Sequence, residues 1–180
     1  MYDDLKIILW PDPRLKAVSK NVTAFDDDLK ALTDRMFILM REHRGVGLAA
    51  PQVGVNLRLF VMNATGEPVD DQIYVNPVLT EAEGEIEEEE GCLSLPKLTV
   101  NVWRSCKLRM TAQDLAGKPF EQDAAEYIAR IWQHEYDHLN GTMLTDRMGP
   151  VAKLTNRKLL NDLKEKYASE HPPVKKKLKR

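Results

Sequence analysis

Between Asp26 and Glu42, the residues Leu29, Leu32, Met36, Leu39 and Met40 recur at helical spacing. One apolar stripe on an otherwise polar segment predicts an amphipathic helix. Asp26, Asp27 and Asp28 stand where its first turn would offer unpaired N–H groups and a positive dipole. Gly45-Val46-Gly47 ends it in a loop. The period then changes. Leu57–Met62 and Ile73–Leu79 are β-rich runs punctuated by Gly66, Pro68 and Pro77. Gly84–Glu90 reads as a strand with a solvated acidic face. After Pro96, Leu98, Val100 and Val102 alternate with polar neighbours, and in Arg104–Met110 the residues Cys106, Leu108 and Met110 share one face. Asp114–Gly117 reads as a turn. A second helix is predicted over Asp123–Asn140, with Ala124, Tyr127, Ile128, Ile131, His134 and His138 on one wide arc and Gly141 at a left-handed end. A third is predicted from about Val151 to Ala168, burying Leu154, Leu159, Leu160 and Leu163 and stopped by His171-Pro172-Pro173. Helices at both ends of a block of strands point to an α+β fold.

Composition adds a class. A chain of 180 residues with 43% hydrophobic and 30% charged side chains reads as one soluble globular domain. The net charge of -2 argues neither for nor against nucleic acid, but its distribution is uneven. Glutamate dominates residues 81–90, and Lys175–Arg180 is basic except at Leu178. The expected division is a folded domain over residues 1–170 and a basic tail over 171–180, whose composition predicts disorder. Two cysteines, Cys92 and Cys106, are too few for a disulfide framework. Met1-Tyr2-Asp3-Asp4 has no basic region leading into an apolar run, and the apolar run Met36–Met40 is far too short to span a bilayer. The expectation is a reducing, cytoplasmic compartment with no membrane partner. Cys106, on the apolar face of a strand, reads as a small core residue.

His134-Glu135-Tyr136-Asp137-His138 carries the sharpest chemistry. Residues four apart lie on one helix face, so both imidazoles reach one ion. Glu135 is placed to take a proton from a water made acidic by that ion, which is the logic of HExxH hydrolases. The plain alternative is two ordinary helix histidines. It is weakened because the chain has only four histidines and this arc is otherwise apolar, so a buried pair would need partners. Two histidines need a third ligand. The HExxHxxGxxH pattern fails, because Leu144 stands where its third histidine belongs. Asp146 and Glu165 are acidic candidates in no recognisable motif. Cys92, in the turn-like Glu90-Gly91-Cys92-Leu93-Ser94, is the better one, since a thiolate binds zinc or ferrous iron well. The loop Gly45-Val46-Gly47-Leu48-Ala49-Ala50-Pro51-Gln52 offers close backbone approach and, in Gln52, an amide that fits a developing oxyanion. Taken alone, a tight turn packed on a sheet explains that loop as well.

Together, GxGLAAPQ, EGCLS and HExxDH in this order resemble the peptide deformylase family. Pro11-Asp12-Pro13-Arg14-Leu15 and the turn from Asp114 to Pro119 add to the likeness, which covers roughly residues 5–148. The resemblance implies antiparallel sheets packed around a central metal-binding helix, with a C-terminal helix beyond it. It implies Cys92, His134 and His138 as metal ligands, with Glu135 as general base and then acid. It implies an oxyanion hole of Gln52 and the Leu93 N–H, and a substrate groove at Val46, Gly47, Glu90 and Gly91. The implied cofactor is one divalent ion, usually Fe2+, for which Zn2+, Ni2+ or Co2+ substitutes. The implied substrates are N-formylmethionyl nascent peptides, with the methionine side chain in an apolar pocket beside the metal helix. The ribosome is a further implied partner, through the C-terminal helix and the basic tail. The resemblance leaves the partner of Glu90 open. Thr99 stands where many members carry an Arg, with Lys97 and Arg104 nearby. Arg130, one turn before His134, is a candidate border of the side-chain pocket. The competing readings are an HExxH peptidase with an acidic third ligand and a ribosome-associated binding protein without catalysis.

Overall fold

The computed structural model describes residues 2–172. Helix α1 (Asp27–Glu42) begins at Asp26, whose side chain caps the Leu29 N–H. Strands β1 (Gly47–Ala49), β2 (Leu59–Met62), β3 (Gln72–Glu83), β6 (Lys107–Gln113) and β7 (Pro119–Ala125) form an antiparallel sheet in the order β1-β2-β3-β6-β7. Strands β4 (Ile86–Cys92) and β5 (Leu95–Arg104) form a separate hairpin. Helix α2 (Glu126–Leu139) follows β7, and α3 (Leu144–Arg147), α4 (Pro150–Thr155) and α5 (Arg157–Glu170) complete the described chain. No helix among the described residues is long and apolar enough to cross a membrane.

Both faces of the large sheet are covered. Leu59 and Val61 pack with Leu29, Leu32, Met36 and Met40 of α1. Phe60 and Met62 pack with Ala129, Ile131 and Trp132 of α2. All four residues of β2 are buried, so the run Leu-Phe-Val-Met shows no alternation. Each such side chain contributes roughly 1.5–3 kcal/mol of transfer free energy. A third apolar cluster joins Leu95, Leu98, Val100 and Val102 of β5 to Met143, Leu144, Met148 and Leu163. Helix α2 packs on the sheet, and the hairpin reaches it through Glu90, Cys92 and Arg104.

Several boundaries depart from the sequence pattern. The helix expected from Asp123 starts at Glu126, because residues 123–125 pair with β6 instead. The expected single C-terminal helix breaks at Asn156, whose side-chain amide donates to the Ala152 carbonyl and caps α4. Leu163 is buried there, but Leu154 is 71% exposed, against its helical-face assignment. Cys106 lies in the turn between β5 and β6, half-buried beside Gly84, so it is no strand core residue. The expected tail falls largely on residues 173–180, outside the described residues.

Gly141 ends α2 at φ +69°, and an added Cβ there would lie 2.4 Å from the Lys16 carbonyl oxygen. Both the backbone conformation and the close approach require glycine. Gly141→Ala is expected to lower stability by about 2 kcal/mol or more, read as a shifted urea midpoint with an unchanged slope. An unchanged midpoint would contradict this packing.

Candidate metal centre and peptide cleft

Helical spacing places His134 and His138 on the α2 face that meets the hairpin. Their Nε2 atoms are 3.3 Å apart. Cys92, the last residue of β4, brings its Sγ to 3.3 Å from His138 Nε2. The three ligand atoms all lie within 4.8 Å of one another, and they form the metal-capable group found among the described residues. Tetrahedral ligation at ~2.0–2.3 Å has edges of roughly 3.3–3.6 Å, so both 3.3 Å separations fit one ion. The acidic alternatives are engaged or remote. Asp146 pairs with Lys16 and accepts from the Met143 N–H, while Glu165 is exposed on α5.

The histidines are held from behind. His134 Nδ1 is 3.0 Å from Glu90 Oε2, and a carboxylate only accepts, so Nδ1 carries the proton and Nε2 is left for the ion. Glu90 also accepts two 2.9 Å bonds from Arg104 Nε and Nη2. Arg104 Nη1 reaches Asp137 Oδ2 at 2.6 Å, and Asp137 is further gripped by Arg147. Burial alone would raise Glu90, but His134 and Arg104 outweigh it and hold the carboxyl at about 2. Arg104 thus answers what the sequence left open, and Thr99 and Lys97 do not pair with Glu90. Arg104 stands 14 positions from Glu90 along the chain, and its only sequence signal is a cation that ends an alternating apolar strand. Glu90, implied as a substrate-binding residue, lines the cleft but has both carboxylate oxygens committed to Arg104 and His134.

Burial lowers the pKa of His138, with the His134 and Arg104 charges adding to it, which favours the neutral, ligating imidazole. Burial also opposes a proton on His134, but the contacts to Cys92 and Glu90 outweigh it and raise that group. Glu135 is buried, and burial pushes its carboxyl up to about 7. Its Oε1 lies against Gly47, where a Cβ would come within 2.4 Å, and its buried Oε2 has no hydrogen-bond partner among the described residues.

Gln52 sits on the opposite wall. Its Oε1 accepts from the Ala49 N–H at 2.8 Å, which turns Nε2 toward Ser94 Oγ at 3.3 Å and Cys92 Sγ at 3.6 Å. Leu93 occupies the hairpin tip between Cys92 and Leu95. These groups line a cleft of about 620 Å³ that also takes in Val46, Gly47, Gly91, Arg130, Ile131 and His134. His138 lies beneath it, 1% exposed. The cleft runs between two strand edges, since β1 ends the order of the large sheet and β4 pairs with β5 alone. Arg130 borders it, bonded to Glu88 and to the Glu89 carbonyl. Tyr127, His43, Arg44 and Lys97 also line it. The sequence motifs did not place these at a cleft, because they bear on no reaction chemistry of their own, and Lys97 figured only as a neighbour of Glu90.

Arg104→Leu leaves the buried Glu90 without its guanidinium and Asp137 with Arg147 alone. The expected cost is about 3–5 kcal/mol in chemical denaturation at neutral pH, together with weakened metal retention. A variant as stable as the parent would remove this network from its supporting role.

The family model for polypeptide deformylase matches residues 4–154. A peptide deformylase of Thermotoga sp. (strain RQ2) is 43% identical over 159 residues, covering 88% of this chain and 95% of its own. A crystal structure of a plant peptide deformylase superposes with a TM-score of 0.92 at 38% identity, covering 96% of each chain. A peptide deformylase structure from Legionella pneumophila gives a TM-score of 0.85 at 41% identity, covering 94% of this chain and 99% of that one. The fold, the order of its motifs and these likenesses agree: the chain belongs to the polypeptide deformylase family.

Proposed function

We propose that the chain removes the formyl group from the N-terminal formylmethionine of new polypeptides, as a metal-dependent hydrolase that cleaves a linear amide and releases formate. The observation that carries this reading is the meeting of Cys92, His134 and His138 at ion-binding separation, beside the Glu135 carboxylate in one cleft. A divalent ion bound there, Fe2+ in our reading with Zn2+, Ni2+ or Co2+ as substitutes, would supply Lewis acidity toward the formyl oxygen and lower the pKa of water to about 7.

The chain's own residues do the rest. An extended peptide fits between the β1 and β4 edges as an added strand, with Val46, Gly47 and Gly91 offering backbone on either side. Ile131 and the stem of Arg130 receive the methionine side chain. Gln52 Nε2 and the Leu93 N–H donate to the oxygen that gains charge as the formyl carbon becomes tetrahedral. Glu135 takes the proton of the attacking water and delivers it to the leaving amine nitrogen. Glu90 acts through His134 as a positioning residue.

Formate release from a formyl-Met-Ala-Ser peptide tests this, with protein loaded anaerobically with Fe2+. Glu135→Gln is expected to lose about 10²–10⁴-fold in kcat. Gly47→Ala, which displaces the Glu135 carboxylate without touching a ligand, is expected to lose about 10²-fold with its metal content unchanged. Near-parental release by Glu135→Gln would sink the assignment of the base.

We further propose the ribosome as a partner of the C-terminal region. Helices α4 and α5 carry Lys153, Arg157, Lys158, Lys164 and Lys166, and the sequence continues to Lys175–Arg180. Such a basic region is attracted to ribosomal RNA in a salt-dependent way. Truncation from Pro172 is expected to weaken co-sedimentation with ribosomes at low salt, and equal co-sedimentation would remove the idea.

A further inference from the structure

Two cations stand at the solvent mouth of the cleft with no ion pair or side-chain hydrogen bond among the described residues. They are Arg44, between α1 and β1, and Lys97 on β5. Both are exposed, whereas Glu135 and His138 at the floor are buried. Both also hold left-handed backbone, Arg44 at φ +56° and Lys97 at φ +66°. That conformation costs any residue with a Cβ, and it persists where the surroundings or a function demand it. Lys97 sits in a bulge, because Cys92 pairs with Leu95 while the preceding Gly91 pairs with Thr99. Residues 96–98 are thereby thrown out of register, and a bulge of this kind re-aims a side chain beside a site. The two loops meet across the tip: a Cβ on Gly45, the neighbour of Arg44, would lie 2.6 Å from Leu93 Cδ1.

The other charges of the cleft do not cancel this pair. Glu90 is committed to Arg104 and His134, and Arg130 to Glu88. Glu135 is at the buried floor. Glu89 remains as an exposed acid, but it lies two residues further from the tip than Gly91, on the side held by Arg130. His43 Nδ1 is bonded to the Leu39 carbonyl. The tip end of the mouth is left with positive charge.

We propose that Arg44 and Lys97 form a cationic rim that favours substrates with an acidic side chain in the first two positions after formylmethionine. This rests on the reading of the cleft as the peptide site. A carboxylate passing between two exposed cations gains attraction that is screened over about 8 Å at physiological salt. The gain falls on encounter and binding, and the reacting atoms are untouched.

The test compares kcat/KM for formate release from formyl-Met-Asp, formyl-Met-Ala and formyl-Met-Lys peptides, and from a second series with the same residues one position later. The full chain loaded with Fe2+ is used. The parent is expected to prefer Asp over Lys by about five- to tenfold in one of the two series at low salt, mostly in KM, with the preference fading at high salt. Lys97→Glu and Arg44→Glu should each lower the Asp/Lys ratio, and the double variant should invert it. Each ratio is taken within one protein, so a variant's overall rate does not enter. Glu89→Gln should raise the ratio. An Asp/Lys ratio near one in both series of the parent, or one unmoved by the double variant, overturns the proposal. Loss of release from every peptide, including the Ala one, would instead overturn the reading of the cleft itself, and the rim with it.

Discussion

A carboxylate and a guanidinium meet where water does not reach, and the centre is assembled around them. The side chains of Glu90 and Arg104 are 7% and 2% exposed. Removing both from water costs several kcal/mol per ion, which their contact and hydrogen bonds must offset. Arg104 spends its donors on Glu90 and Asp137, so β4, β5 and α2 are tied at one point. Such a pair contributes little surplus stability over well-packed apolar residues. Its effect here is geometric: α2 cannot slide against the hairpin without leaving a buried charge unpaired. The same carboxylate accepts a hydrogen bond from His134 Nδ1, so the lock that fixes the helix also fixes that ring.

The apolar layers support that lock from both sides. Trp132 and Ile131 press α2 onto Phe60, Met62 and Tyr74 of the sheet, while Leu95, Leu98 and Val100 of the hairpin rest on the C-terminal segment. Helix α2 thus holds His134 and His138 on the sheet, facing a hairpin that is itself anchored. Gly47 lets the edge of β1 come against the Glu135 carboxylate, closer than any other residue would permit. The Glu135 carboxylate, the Cys92, His134 and His138 group and the edge of β1 consequently share one wall-to-wall dimension. A methyl group at Gly47 would change it.

The electrostatics separate by depth. At the floor, charges are paired or neutralised by burial: Glu90 stays ionised against Arg104, and Glu135 is pushed up by its dry surroundings. At the mouth, Arg44 and Lys97 remain solvated and unpaired among the described residues. A low dielectric strengthens the first set, and salt weakens the second.

Local pattern along the chain was enough for helix α1, the α+β class and the placing of His134 and His138 on one helix face, because helical period is local and the two sit one turn apart. It also determined Cys92 and Gln52 as candidates, through motifs that lie within a few residues of chain. What it did not determine was long-range. The start of α2 moved from Asp123 to Glu126 because β6 competes for residues 123–125, and a pairing partner is not visible in local propensity. Leu154 was lost from the core when Asn156 broke the last helix. Arg104 as the partner of Glu90, the contact of Gly47 with Glu135, and Arg44 with Lys97 on one rim depend on which segments the fold brings together. Those distances follow from the packing of the sheet, hairpin and helix in three dimensions, and no period along the chain encodes them.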